Sequence, residues 1–329
     1  MKRLHAILAV CGLTILLYPA EFLRADSPDE VKMRSFRLSY GATLSGLPEG
    51  ADVRIWLPVP PSGEFQTVRR CGWQLPAEPR LSIEPKYGNQ ILYFETKGPE
   101  SGQLSFTTPY QISRKEVRAL QTSAKPKLSG KQRELFLAPN AKVPLTGKPN
   151  QLLNGLKLPK DPLSLGRLLY DRVDEHVRYD KSQPGYGSGD VLWVCDSRTG
   201  NCTDFHSLFI SFSRSQGIPA RFEIGFPLPP KRGRGKISGY HCWAYFYVDD
   251  RGWVPVDVSE ADKQPELKDY YFGNLTENRV TFSVGRDIEL LPRQAGPPLN
   301  YFVYPYVEVD GKSLPKEQIH LALSYRDAL

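Results

Sequence analysis

The stretches GNCTDFHSLFISFSRSQGIPARFEIGF (200–226) and GYHCWAYFYVDDRGWVPVDVSE (239–260) decide how this chain is read. In the first, Phe205, Leu208, Phe209 and Phe212 fall at i, i+3, i+4 and i+7. That stripe predicts a helix from Cys202 to about Gln216 with one face buried. Gly217 suits the residue that ends such a helix, and Ile218-Pro219-Ala220-Arg221 begins an extended run. The second stretch reads as a β-hairpin: a strand from Tyr240 to Val248, a turn over Asp249-Asp250-Arg251-Gly252, and a strand from Trp253 to Val258. His241 begins one strand and Asp257 closes the other, so an antiparallel pair leaves them within two or three positions of opposite.

The three residues at those places have complementary chemistry. Unpaired N–H groups and the helix dipole favour negative charge where Cys202 sits, and so favour thiolate over thiol. A free thiol titrates near ~8.5, and a helix N-terminus with a nearby imidazolium lowers that to about 3.5–7.5. The Cys202 backbone N–H is also placed to stabilise an oxyanion. Asp257 can fix one nitrogen of His241 while the other faces Cys202. Taken singly, each residue has a plainer role: a structural or disulfide cysteine, a core histidine, an aspartate ending a strand. The joint pattern is what points to catalysis.

The Cys block with its Gly-Ile-Pro-Ala-Arg strand, the His-x-Trp and Trp-x-Pro-x-Asp blocks and, more loosely, YYFGNLTENRVTFSVGRD (270–287) together resemble the transglutaminase-like superfamily over about residues 160–290. The resemblance implies a papain-like catalytic core with Cys202 as nucleophile, His241 as base and Asp257 as the orienting acid. The upstream VRIWLPVP (53–60) resembles the β domain that precedes this core in some bacterial members. Two departures stand out. The second oxyanion donor, a tryptophan indole in animal transglutaminases, has no match by spacing, although Trp193 and Tyr186 are candidates. No acidic calcium loop is visible either, so neither a cofactor nor a calcium requirement is implied.

The rest of the chain fits an α+β protein with a β-sandwich ahead of the catalytic domain. Lys2 and Arg3 followed by the apolar run Ala6 to Tyr18 read as a signal peptide, placed at 1–25, with an uncleaved N-terminal anchor as the alternative. Export to the periplasm or the extracellular space follows. Stretches 34–44, 51–60, 89–98 and 102–112 alternate like strands, with weaker ones near 66–75 and 81–85, giving a sandwich over 26–115. Residues 116–150 are polar and form the linker; 151–329 form the catalytic domain. That domain opens with a helix from Pro162 to about Val177, capped by Asp161. Residues 178–201 read as an irregular, glycine-rich approach to the Cys202 helix. The run LNYFVYPYVEVDG (299–311) is expected to close the sheet around the hairpin.

Several classes of function are excluded. Cysteine spacing and five scattered histidines do not fit a zinc site. No nucleotide-binding glycine loop occurs. The basic loop PLPPKRGRGKISG (227–239) lacks interleaved aromatics, so nucleic acid is not a partner; it reads as a solvated loop or as a rim attracting acidic cell-wall polymers. His206, one turn after Cys202, points along the helix and is rejected as the base. Asp204 is expected to support the helix N-terminus. Cys195 and Cys242 are read either as free thiols or as a disulfide, with Cys242 facing away from His241 across the strand. The expected partner is a protein or peptide substrate, cell-wall associated in one reading. The expected chemistry is peptide or amide hydrolysis ahead of cross-linking, with a non-catalytic binding module as the other alternative.

Overall fold

The computed structural model of the protein describes residues 30–121 and 127–328; the expected signal segment lies outside them. Strand β1 (Met33–Leu44) buries Phe36, Leu38, Tyr40, Ala42 and Leu44 on one face and turns Arg37 to solvent, as a period of two requires. It is followed by β2 (Asp52–Val59), β3 (Gln66–Arg70), β4 (Arg80–Ile83), β5 (Gln90–Lys97) and β6 (Leu104–Lys115). The four strong strands and two weaker ones read from the alternation are therefore all present.

The polar connection is structured. After β7 (Val117–Arg118) comes helix α1 (Gly130–Leu137), started by a capping box in which Ser129 and Gln132 satisfy each other's backbone N–H groups. Next come α2 (Lys148–Gln151), α3 (Pro162–His176), β8 (Arg178–Tyr179), α4 (Val191–Ser197), β9 (Thr199–Gly200) and α5 (Cys202–Ser215). The Asp161 carboxylate caps α3 by accepting from the Ser164 N–H at 2.8 Å, and Gly217 ends α5 at φ +77°. Helix α4 replaces part of the expected irregular approach. Asp190 caps it, and Arg198 closes it in the left-handed region at φ 56°.

The second half continues with β10 (Ala220–Pro227), β11 (Arg234–Lys236), β12 (His241–Val248), β13 (Gly252–Val256), α6 (Val258–Lys263), β14 (Asn274–Leu275) and β15 (Arg279–Val284). A four-stranded antiparallel sheet in the order β13-β12-β10-β15 packs on α5. Phe209 of α5 meets Phe246 of β12 edge-on at 5.9 Å between ring centroids. Among the described residues no helix is long and apolar enough to cross a membrane.

The chain then returns to the sandwich with β16 (Tyr306–Val309), β17 (Lys312–Ser313) and β18 (Ile319–Asp327). The two sandwich sheets run β11-β18-β1-β6-β3 and β17-β16-β2-β5-β4. This corrects the expectation for 299–311: Tyr306–Val309 pair with β2, not with the hairpin sheet. The basic loop is likewise not simply solvated, because Arg234–Lys236 pair with β18. The physical reason is edge protection. β1 pairs with β6 on one side, and its other edge would present unpaired N–H and C=O groups if β18 did not cover it from Leu44↔Ile319 to Phe36↔Asp327. Residues Val31–Leu329 form one compact unit, and Gln66 of β3 ties the halves together. Its side chain accepts from the Thr281 N–H at 2.8 Å and donates to the Thr281 carbonyl at 3.0 Å, standing in for a neighbouring strand on β15.

In β18 only Leu323 and Tyr325 are buried. Leu323→Ala should lower the unfolding free energy by about 2–4 kcal/mol in urea titrations, and a loss below about 0.5 kcal/mol would place the strand outside the core.

Candidate active site

The site is built where α5 begins. Asn201 caps the helix, its side-chain oxygen accepting from the Thr203 N–H at 2.8 Å. Asp204 completes the cap and does more. Its carboxylate, with no solvent exposure, accepts from the N–H groups of Asn201 at 2.8 Å, Gly187 at 2.6 Å and Gly189 at 2.9 Å. The glycine-rich approach is thus folded back onto the start of the helix. Gly189 must be glycine for this: φ is +59°, and a Cβ would sit 2.5 Å from the Ser207 hydroxyl. Arg286, fully buried, fixes the same loop by donating to the carbonyls of Gly189 at 2.9 Å and Ser188 at 3.0 Å.

The hairpin brings the other groups. Its register, Ala244↔Val256, sets Asp257 beside Trp243, two residues from His241. His241 Nε2 and the Asp257 carboxylate are 2.7 Å apart. His241 also lies near enough to Cys202 for its charge to act on the sulfur. With Nε2 engaged by Asp257, Nδ1 is the nitrogen left for the sulfur. Asp257 itself is held rigidly. The Arg279 guanidinium donates to it at 3.0 Å, and its other oxygen accepts from the Ser259 hydroxyl at 3.2 Å and the Glu260 N–H at 3.1 Å, so that it caps α6.

These contacts set the protonation states. Burial alone would lower the His241 titration point, but the Asp257 charge, with hydrogen bonds to Asp257 and Cys202, pushes it up to about 10. Burial alone would raise the Cys202 thiol; hydrogen bonds from Cys242 and His241, then the His241 charge, hold it well below the ordinary thiol range. Asp257 is desolvated as well, yet His241 and Arg279 hold its carboxyl far below the usual range. The outcome at neutral pH is a thiolate–imidazolium pair with an ionised carboxylate behind it.

Cys242 lies on the α5 side of β12, against Thr203 and His206 at 3.8 and 3.6 Å, and close enough to Cys202 to interact with its sulfur. Burial, followed by that contact, raises it well above the ordinary range, so it stays protonated and can donate to the Cys202 thiolate. His206 Nε2 accepts from the Val258 N–H at 3.1 Å, which leaves the proton on Nδ1, facing Cys242. His206 therefore faces Val258 and Cys242. Cys71, Cys195, Cys202 and Cys242 are all free thiols, so the disulfide alternative for Cys195 and Cys242 is excluded.

Of the two candidate oxyanion donors, Tyr186 is 42% exposed and Trp193 packs its indole against Gly185. Residues whose part in the site was not read from sequence include Arg279 and Tyr240. The Tyr240 hydroxyl accepts from the Asn201 amide at 3.1 Å and contacts the Thr203 hydroxyl at 2.9 Å, bracing the cap of α5. A tyrosine directly before the histidine was the available signal.

Comparison with known proteins bears on the family and the fold. The family model for the core of the transglutaminase-like superfamily matches residues 150–258. An uncharacterized protein of Haemophilus influenzae is 30% identical over 96% of this chain and 97% of its own length. The crystal structure of a candidate cysteine protease from Cytophaga hutchinsonii is 16% identical, with 91% of this chain and 92% of that one superposed at a TM-score of 0.58. The periplasmic domain of TgpA from Pseudomonas aeruginosa is a more distant likeness, 16% identical over 72% of this chain and 93% of that one, at a TM-score of 0.34. The matched core runs from the approach to α3 through the hairpin that carries His241 and Asp257, and the chain belongs to the transglutaminase-like superfamily.

Proposed function

We propose that the protein is an exported, cysteine-dependent acyl-transfer enzyme acting on amide or peptide bonds. Cys202 is the nucleophile, His241 the acid and base, and Asp257 the carboxylate that orients His241. The observation that carries this reading is His241 Nε2 2.7 Å from the Asp257 carboxylate, with Cys202 close enough for the two side chains to shift each other's protonation. The thiolate would attack the substrate carbonyl carbon, and the developing oxyanion would meet the Cys202 backbone N–H, which has no partner within its own helix. His241 would then give its Nδ1 proton to the departing amine, leaving a thioester. Water attacking that thioester, with His241 as base, releases the acid and restores the thiolate.

A lysine-like amine in place of water would give a cross-link instead. Hydrolysis of a peptide of the cell envelope is the reading we favour, since the sequence lacks an acidic calcium loop of the kind that would imply calcium activation. The charged N-terminal Lys2-Arg3 and the apolar run after it support export.

The ionic pair has a direct test. Because Cys202 is held low and His241 high, the thiolate forms below neutrality and stays paired with imidazolium until His241 loses its proton near pH 10. Alkylation of Cys202 by iodoacetamide, followed by peptide mass spectrometry, should be flat between pH 6 and 9. In His241→Ala it should fall by about a hundredfold at pH 6 and climb with pH. Equal rates in the two proteins would leave a binding module as the better reading.

The reaction itself is read by incubating the protein with a peptide library, with and without a primary amine. Cleaved or deamidated products that need Cys202 are expected, with little amine incorporation. Asp257→Asn should lower turnover by about 10²–10⁴-fold through loss of the His241 orientation. Products that survive in Cys202→Ala would refute the assignment.

A further inference from the structure

A cavity of about 410 Å³ lies away from Cys202, between the sandwich and the face of the four-stranded sheet that does not carry α5. Its walls come from Phe65 in the loop before β3, from β3 (Gln66), from β6 (Arg114), from β10 (Arg221, Glu223) and from the hairpin (Tyr245, Tyr247, Trp253). We propose that this cavity binds a small carboxylate with an apolar or aromatic body, gripped by the Nε and Nη2 edge of Arg114.

The first observation is the arginine. Arg114 is 3% exposed and lines the cavity, yet its Nε and Nη2 have no hydrogen-bond partner among the described residues. These two N–H groups lie side by side on one edge of a planar cation, the geometry that takes both oxygens of a carboxylate at once. Tyr245 engages the guanidinium elsewhere, and a buried cation whose other edge has no partner is costly to the fold. Burial also pushes the Arg114 guanidinium down.

The second observation is that the neighbouring charges are already engaged. Glu223 is bonded by Arg221 at 2.7 Å and by the Trp243 indole N–H at 3.2 Å. Arg221 stacks over Tyr245 at 4.6 Å and over Trp253 at 4.4 Å. Arg251, also on the wall, donates to the Leu120 carbonyl at 3.2 Å. Arg114, Arg221 and Arg251 face Glu223 and Glu64 across the cavity, an excess of one positive charge that a single carboxylate balances. Phe65, Tyr247 and Trp253 supply the surface for an apolar body, and Ser62, Gly63 and Glu64 are exposed at the mouth. A volume of this size suits a small molecule. A phosphate dianion fits less well, because one guanidinium edge offers too few donors and Glu223 stands nearby.

The test uses benzoate as probe, with neutral benzamide and inorganic phosphate as comparisons, followed by titration calorimetry on the full chain. Benzoate should bind at a single saturable site, benzamide and phosphate about tenfold more weakly or not at all. Binding should weaken by about tenfold or more in Arg114→Met, which replaces the unpaired charge by an apolar chain of similar length, and should be unchanged in Cys202→Ala. Circular dichroism establishes that Arg114→Met folds. If it does not, Arg114→Lys, which keeps the charge and loses the paired edge, decides by the same criterion. The proposal is overturned by the absence of saturable benzoate binding up to about 10 mM, by equal affinity in the folded Arg114 variant, by loss of binding in Cys202→Ala, or by phosphate binding as tightly as benzoate.

Discussion

A carboxylate with no contact with water has to be compensated by the protein around it, and Asp257 is such a carboxylate. Its partners come from separate parts of the chain: His241 from the first hairpin strand, Arg279 from β15, Ser259 and Glu260 from the helix that Asp257 itself caps, with His206 of α5 3.6 Å away. Each contact fixes one element against another, so the charge balance of the site and the packing of α5, α6 and the four-stranded sheet are the same constraint. Thiolate, imidazolium, carboxylate and guanidinium alternate in sign from Cys202 to Arg279. Removing any one would leave a buried neighbour uncompensated, which is more costly than never having built the pair.

Cys202 needs a second device, because a helix that merely begins near a histidine does not hold a sulfur in place. Asp204 and Arg286 clamp the glycine-rich approach from opposite sides, one through backbone N–H groups and the other through carbonyls. Tyr240 adds a brace from the residue before His241 to the cap residue Asn201. Burial, and then the neighbouring Cys202 charge, raises the Tyr240 hydroxyl, so it stays neutral beside the ionic pair. Rigid surroundings of this kind are what a preorganised thiolate requires.

What could be read from the sequence was local. The stripe Phe205, Leu208, Phe209, Phe212 and the hairpin turn at 249–252 are periodic signals carried by adjacent residues, and α5 and the β12–β13 pair fall where those signals put them. The meeting of Cys202, His241 and Asp257 followed from the hairpin register plus a resemblance. Arg279 was not legible, because nothing in the run RVTFSV announces that its first residue will reach a carboxylate on another strand. Helix α4 has too few residues to show a period. The run 299–311 was legible as strand but not in its pairing, and β18 was not read at all: alternation in Ile319–Asp327 says only that one face is buried, not which sheet does the burying. Only the open edge of β1 answers that question.

The return of the chain to the sandwich is explained by β12, where every residue from His241 to Val248 is buried. An antiparallel strand covered on one face alternates between core and solvent, whereas one buried throughout needs a layer on each side. Helix α5 covers the face of Cys242, Ala244 and Phe246. The opposite face, with His241, Trp243 and Tyr245, meets Val117, Ala119 and Leu275, with Phe65 of the sandwich packed against them. The sandwich is therefore part of what keeps the His241 side of the sheet dry. Exposing that face to water would weaken the electrostatic hold of Asp257 on His241, since charge pairs lose most of their strength when solvent enters. The sandwich and the four-stranded sheet thus contribute to one site although only the second carries its reactive groups.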